Sequence, residues 1–148
     1  MKYLEDADHI EIFSIQQEHS LRLRYISEGI SAGFPSPALD FQHESIDLNQ
    51  HLVRHPEATF YGRVKGQSLK DLGIVDGDLL VIDRSLEARN GRLAVCFING
   101  EFTAKRIKID QQRIYLMPAN ADYQPIQVKD DDELIIWGVV TYVIKSFI

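Results

Sequence analysis

From Thr59 onward the chain is built of short apolar runs separated by turn residues. Thr59 to Val64 is a β-prone run, and Leu79-Leu80-Val81-Ile82 follows the turn Asp76-Gly77-Asp78. Leu93 to Ile98 and Glu101 to Ile109 flank Asn99-Gly100, and Asn-Gly between alternating runs is the strongest short-range hairpin signal. Ile114 to Met117 and Leu134 to Ile144 continue the series, the last long enough to bend at Gly138. Strands this short and closely spaced predict a compact, mainly β domain.

Residues 1–31 are patterned more weakly and form a polar arm. His9-Ile10-Glu11-Ile12-Phe13-Ser14-Ile15 roughly alternates, which suits a strand added to something else, and Leu21, Leu23 and Tyr25 alternate with Arg22 and Arg24. Gly29-Ile30-Ser31-Ala32-Gly33-Phe34-Pro35-Ser36-Pro37 makes a poor helix and a poor central strand, so an extended, accessible linker is expected there. Ile46 to His55 predicts a short helix with Asp47 as N-cap, Leu48, Leu52 and Val53 on one face, and Pro56 as its stop.

Composition narrows the class. The 148 residues are 45% hydrophobic and 26% charged, an ordinary globular mixture. No apolar run approaches the roughly 20 residues a bilayer span requires. The acidic start Met1-Lys2-Tyr3-Leu4-Glu5-Asp6 lacks a secretory h-region, and Cys96 alone can form no internal disulfide; the expected location is the cytoplasm. The net charge of −6 opposes non-specific nucleic-acid binding, which needs a basic face. The arm offers no such face either, with Lys2, Arg22 and Arg24 against Glu5, Asp6, Asp8, Glu11, Glu18 and Glu28.

Two positions could carry chemistry. Val64-Lys65-Gly66-Gln67-Ser68-Leu69 leaves a strand, passes a glycine and enters one helical turn, so Ser68 stands at the sheet rim beside unpaired N–H groups suited to an oxyanion. A serine after a glycine is more often just a turn or N-cap residue. Its partner therefore matters. His9, His19, His43, His51 and His55 all precede Ser68, outside the strand-rich core, and nothing supports a Ser-His-Asp arrangement. His51 and His55 are four apart but lack a third ligand, so two solvent-facing histidines are expected rather than a metal site. The hairpin supplies a better base. A two-residue Asn99-Gly100 loop sets Ile98 opposite Glu101, Phe97 opposite Phe102, Cys96 opposite Thr103 and Ala94 opposite Lys105. Ala94, Cys96, Thr103, Lys105 and Ile107 then share one face. Desolvation there would favour the neutral amine, which can accept a serine proton. The bland alternative is a strand-end lysine reaching water, the route assigned to Arg106 and Lys108.

As an ordered set, Gly33-Phe34-Pro35-Ser36-Pro37-Ala38, Ile46-Asp47-Leu48-Asn49, Gly66-Gln67-Ser68-Leu69, the run Gly73 to Asp83, and Gly100-Glu101-Phe102-Thr103-Ala104-Lys105-Arg106 resemble the LexA-type self-cleaving serine peptidases, in particular their UmuD-type members. Met117-Pro118-Ala119-Asn120 and Trp137-Gly138-Val139-Val140 match later segments of that family, so the likeness spans about residues 33–148. It implies a compact β-clip-like peptidase domain over 33–148 with an extended N-terminal arm, residues 1–32, removed by self-cleavage. It further implies Ser68 as nucleophile, Lys105 as general base, and a cut between Ala32 and Gly33. The implied partners are a second copy of the chain, a RecA filament on single-stranded DNA that stimulates cleavage, and a UmuC-type polymerase that the processed form joins as translesion DNA polymerase V. No metal or organic cofactor, membrane or sequence-specific DNA contact is implied. The family commonly has an acidic residue and a methionine where Gln67 and Leu69 stand here. Three rivals compete with this expectation. A LexA-type repressor would need a helix-turn-helix for which residues 1–31 are too short and too acidic. A non-catalytic dimeric module would have no use for both Ser68 and Lys105. A signal-peptidase-like enzyme would need a membrane anchor.

Overall fold

In the computed structural model, residues 9–14, 22–26 and 43–148 are described, with side chains for 9–14 and 46–148. The chain divides into two compact units, residues 16–54 and residues 1–15 together with 55–148.

In the smaller unit, β2 (Arg22–Ile26) pairs antiparallel with β3 (His43–Asp47), setting Leu23 opposite Ile46. A five-residue helix, α1 (Leu48–Leu52), follows directly. Asp47 caps it as expected, its Oδ1 accepting the Asn49 N–H at 3.0 Å. The helix is shorter than the pattern of residues 46–55 predicts. Ile46 and Asp47 are committed to strand pairing, and β-branched Val53 is already extended (φ −110°, ψ 100°). Pro56 acts only on His55, which it keeps out of the helical region (φ −125°, ψ 83°). His51 and His55 therefore share no helix face. The linker around Ala32 and Gly33 lies outside the described residues.

The larger unit is one eight-stranded antiparallel sheet. Its strands are β1 (His9–Ser14), β4 (Thr59–Lys65), β5 (Leu79–Asp83), β6 (Leu93–Ile98), β7 (Glu101–Asp110), β8 (Arg113–Met117), β9 (Ile126–Gln127) and β10 (Leu134–Ile144). Their order is β1-β4-β5-β10-β6-β7-β8-β9, and β1 approaches β7, so the sheet curls on itself. The expected mainly β class holds, and every run read as a strand from Thr59 onward is one. β10 spans the expected Leu134 to Ile144 and serves two neighbours, β6 with its first half and β5 with its second. Its register slips between Ile136 and Gly138. A Cβ at Gly138 would lie 2.7 Å from Ile82 Cγ2, so only glycine lets β10 cross β5 this closely.

The expected hairpin forms with the expected register. Ile98 faces Glu101, Phe97 faces Phe102, Cys96 faces Thr103 and Ala94 faces Lys105. Asn99 and Gly100 both have positive φ (48° and 88°), the I′ geometry that Asn-Gly favours. Alternation along β6 splits the core: Val95 packs with Ile10, Val64, Leu69, Ile74, Leu80, Ile82 and Ala104, whereas Ala94, Cys96 and Ile98 pack with Ile107 and Leu116. Arg106 and Lys108 are exposed, as expected.

Candidate active site

Ser68 is positioned by the abrupt end of β4. The last residues of the strand are tied to the following turn: Val64 N–H donates to the Asp78 carbonyl at 2.9 Å, and Gly77 N–H returns a bond to the Val64 carbonyl at 2.8 Å. Gly66 takes a left-handed conformation (φ 107°), and its N–H donates to Asp76 Oδ1 at 3.0 Å. The chain thereby turns off the sheet at a residue with no Cβ to clash. Leu69 plugs into the core, anchoring the far side, and a 3-10 turn at Lys70–Leu72 ends on left-handed Gly73. Ser68 is held between a tethered strand end and a buried leucine.

Lys105 arrives from the middle of β7 on the face shared with Ala94, Cys96, Thr103 and Ile107, all buried. Its Nζ lies 2.8 Å from Ser68 Oγ and 2.8 Å from Thr103 Oγ1. All three side chains are removed from water: Ser68 is 5% exposed, Lys105 3% and Thr103 1%. The nearby Cys96 thiol is pushed up to about 12 by burial, although the Lys105 charge pulls the other way. It therefore stays protonated and gives the lysine no compensating anion.

A third segment closes over the serine turn. After β8, Ala119 N–H donates to the Ser68 carbonyl at 2.7 Å, and the Ala119 carbonyl accepts from Asp71 N–H at 2.8 Å. Asn120 Nδ2 donates to the Gln67 carbonyl at 2.8 Å. A cleft of about 400 Å³ opens here, lined by Gln67, Lys70, Asn120, Asp122 and Tyr123. A buried hydroxyl at hydrogen-bond distance from a buried amine, beside an open cleft, can perform acyl transfer.

Comparison with known proteins gives the family. A family model for peptidase S24-like domains matches residues 24–141. The chain belongs to the peptidase S24-like family. It is similar to protein MucA of Salmonella typhimurium, with 43% identity over 137 residues, 92% of each chain. Protein SamA of Salmonella typhimurium is 42% identical over 115 residues, 78% of this chain and 79% of that one. LexA repressor 1 of Pseudomonas syringae pv. tomato is 41% identical over 117 residues, which is 78% of this chain but 57% of the repressor. The UmuD-type resemblance read from the sequence stands on these peptidase S24-like relatives.

Of the site residues expected from sequence, Ser68 and Lys105 come together, and Ala32 and Gly33 lie outside the described residues. Thr103 was legible as a face neighbour of Lys105 but not as its hydrogen-bond partner. Asn120 carried no local signal of its contact with Gln67, since 53 residues separate them. His55 is a surface residue bonded to Asp83 rather than free in solvent, its Nδ1 2.6 Å from Asp83 Oδ2. Among the described residues, no His, Cys, Asp and Glu group could hold a metal ion, and no helix is long and apolar enough to cross a membrane.

Proposed function

We propose that this peptidase S24-like chain is a self-cleaving serine peptidase that cuts its own Ala32-Gly33 bond. The observation that carries the proposal is the 2.8 Å approach of Lys105 Nζ to Ser68 Oγ with both groups buried. Burial penalises an ammonium more than an amine, so this setting supports a neutral lysine as the base.

In the proposed reaction, Ser68 Oγ attacks the Ala32 carbonyl carbon while its proton passes to Lys105 Nζ. The tetrahedral oxyanion is met by backbone N–H groups at the turn, that of Ser68 among them. Collapse breaks the bond between the Ala32 carbonyl carbon and the Gly33 nitrogen, and Lys105 returns its proton to the departing amine. Water, deprotonated by Lys105, then attacks the Ser68 ester, releasing the Ala32 carboxylate and restoring the hydroxyl. Thr103 Oγ1 accepts an N–H from the amine and so orients its lone pair. A small Ala32, a pliable Gly33 and prolines that keep the following stretch irregular all suit a bond that must enter a cleft. Because the substrate is tethered, effective concentration replaces affinity.

The UmuD-type resemblance supports the wider setting: a homodimer, stimulated by RecA on single-stranded DNA, whose shortened form serves a UmuC-type translesion polymerase. RecA would act by favouring the conformer in which the arm occupies the cleft.

Intact-mass spectrometry after incubation at neutral and alkaline pH tests the chemistry. The expected result is a break after Ala32 that accelerates with pH and disappears in Ser68→Ala and Lys105→Ala. A chain that stays whole at alkaline pH, and also with RecA, single-stranded DNA and ATP, would leave only a dimeric interaction module.

A further inference from the structure

We infer that Asn120 is a positioning residue that fixes the peptide plane carrying the oxyanion donor of Ser68. The inference rests on the proposed peptidase reaction for its kinetic part, but its geometric part stands independently. The Gln67 carbonyl and the Ser68 N–H belong to one peptide group, which is planar and, like every peptide among the described residues, not cis. The two bonds therefore point in opposite directions. Whatever holds the Gln67 carbonyl decides where the Ser68 N–H points.

Asn120 is the side chain that holds it. It is 7% exposed, and its Nδ2 donates to the Gln67 carbonyl at 2.8 Å. Its Oδ1 accepts the Asp122 N–H at 3.0 Å, so the amide oxygen is committed to a backbone donor and only the NH2 group can face the Gln67 carbonyl. The competing support is weaker: Lys70 N–H reaches the same carbonyl at 3.2 Å, closing the turn itself. The next peptide is treated alike, since the Ser68 carbonyl accepts the Ala119 N–H at 2.7 Å and the direction of the Leu69 N–H follows. Among the described residues, neither the Ser68 N–H nor the Leu69 N–H donates within the turn's own hydrogen bonds. Both are aimed by residues 119–120 and left available. The side-chain hydrogen bonds of Asn120 run to the Gln67 carbonyl and from the Asp122 N–H, so it acts through the backbone rather than on the proton.

Asn120→Asp isolates the contact, because it keeps the acceptor for Asp122 N–H and replaces the donor with an oxygen that opposes the Gln67 carbonyl. Self-cleavage is measured across a pH series for the full chain, Asn120→Asp and Asn120→Ala, beside carbonyl and amide NMR shifts of Gln67 and Ser68. Both variants should cleave about ten- to a hundredfold more slowly at every pH, since a misdirected oxyanion donor loses most of its effect. In Asn120→Ala the pH at which the rate rises should not move, because the base is untouched, whereas the carboxylate of Asn120→Asp favours the lysine ammonium and should move it upward. The Gln67 carbonyl and Ser68 amide signals should shift. Cleavage within twofold of the parent, or a displaced pH profile in Asn120→Ala, would overturn the inference. If the parent chain does not cleave, the peptidase proposal falls, and an unmoved Gln67 carbonyl signal in Asn120→Asp would then overturn the clamp separately.

Discussion

Asp83 ends β5 with its carboxylate nearly out of water, and three donors converge on it. His55 Nδ1 lies 2.6 Å from one oxygen, while the Ser85 N–H (2.8 Å) and hydroxyl (2.6 Å) share the other. Burial alone would raise its pKa, but the bonds from His55 and Ser85 outweigh that and hold it below the ordinary 3.8. A depressed folded-state value means stability that is complete above the unfolded value and lost as pH falls through the folded one. Asp83→Asn should therefore cost about 1 kcal/mol near neutrality, where hydrogen bonds to a charged acceptor are lost. Thermal melts at pH 7 and pH 3 check this: the gap between parent and variant should narrow at the acid end. A gap of equal size at both pH values would show that Asp83 does not titrate with folding. At this scale, legibility depended on distance along the chain. The rim position of Ser68 and the inner-face position of Lys105 could be read because a glycine turn and a two-residue alternation are local signals. The contacts of Asp83 with His55 and of Asn120 with Gln67 join residues 28 and 53 positions apart, and only the folded sheet brings them together.

Among the elements, the β6–β7 hairpin was readable in full because Asn99-Gly100 fixes both the turn and the register, and the register alone puts Lys105 on the inner face. β3 was not. Its residues His43–Asp47 carry little apolar alternation, and Asp47 as a helix cap obscured the strand that ends there. β9, with two residues, lies below what periodicity can detect. Gly138 was legible as a bend but its cause was not: Ile82 on the neighbouring strand occupies the space a side chain would need. Gly138→Ala should cost about 1–3 kcal/mol through overpacking, lowering the melting temperature by several degrees. Calorimetry of the variant checks it. An unchanged melting temperature would mean that β10 can shift away from β5 at no cost, and that its register slip does not depend on glycine.

For the molecule as a whole, the proposed cut has a structural consequence that follows from where β1 sits. β1 precedes Ala32 in sequence, yet it is the edge strand of the larger unit, paired with β4 from His9–Lys65 to Ser14–Phe60. Cleavage after Ala32 would leave that strand held without a covalent link. Ile10 is its only fully buried described residue, packed with Val64 and Ile82 over Gly62, where a Cβ would meet Ile10 Cγ2 at 2.6 Å. Burying one isoleucine contributes about 1.5–3 kcal/mol. Six residues of strand add net hydrogen bonding of about 1 kcal/mol per bond. Association of a separate fragment costs roughly 4–15 kcal/mol in lost freedom. The fragment 1–32 also carries β2, which pairs with β3, so among the described residues two short ladders and one buried isoleucine hold it. These gains are of the same order as the cost of association, and the fragment should dissociate on dilution. The β4 edge, with Gly62 and Val64, would then lie open. Size-exclusion chromatography with mass analysis of each peak checks this on cleaved protein, with Ser68→Ala as the intact reference. Release should be accompanied by a lower melting temperature, partly restored by adding a synthetic 1–32 peptide in excess. Co-elution of the fragment at nanomolar concentration would mean that the arm remains part of the sheet after the cut, and that removing it needs a further partner rather than cleavage alone.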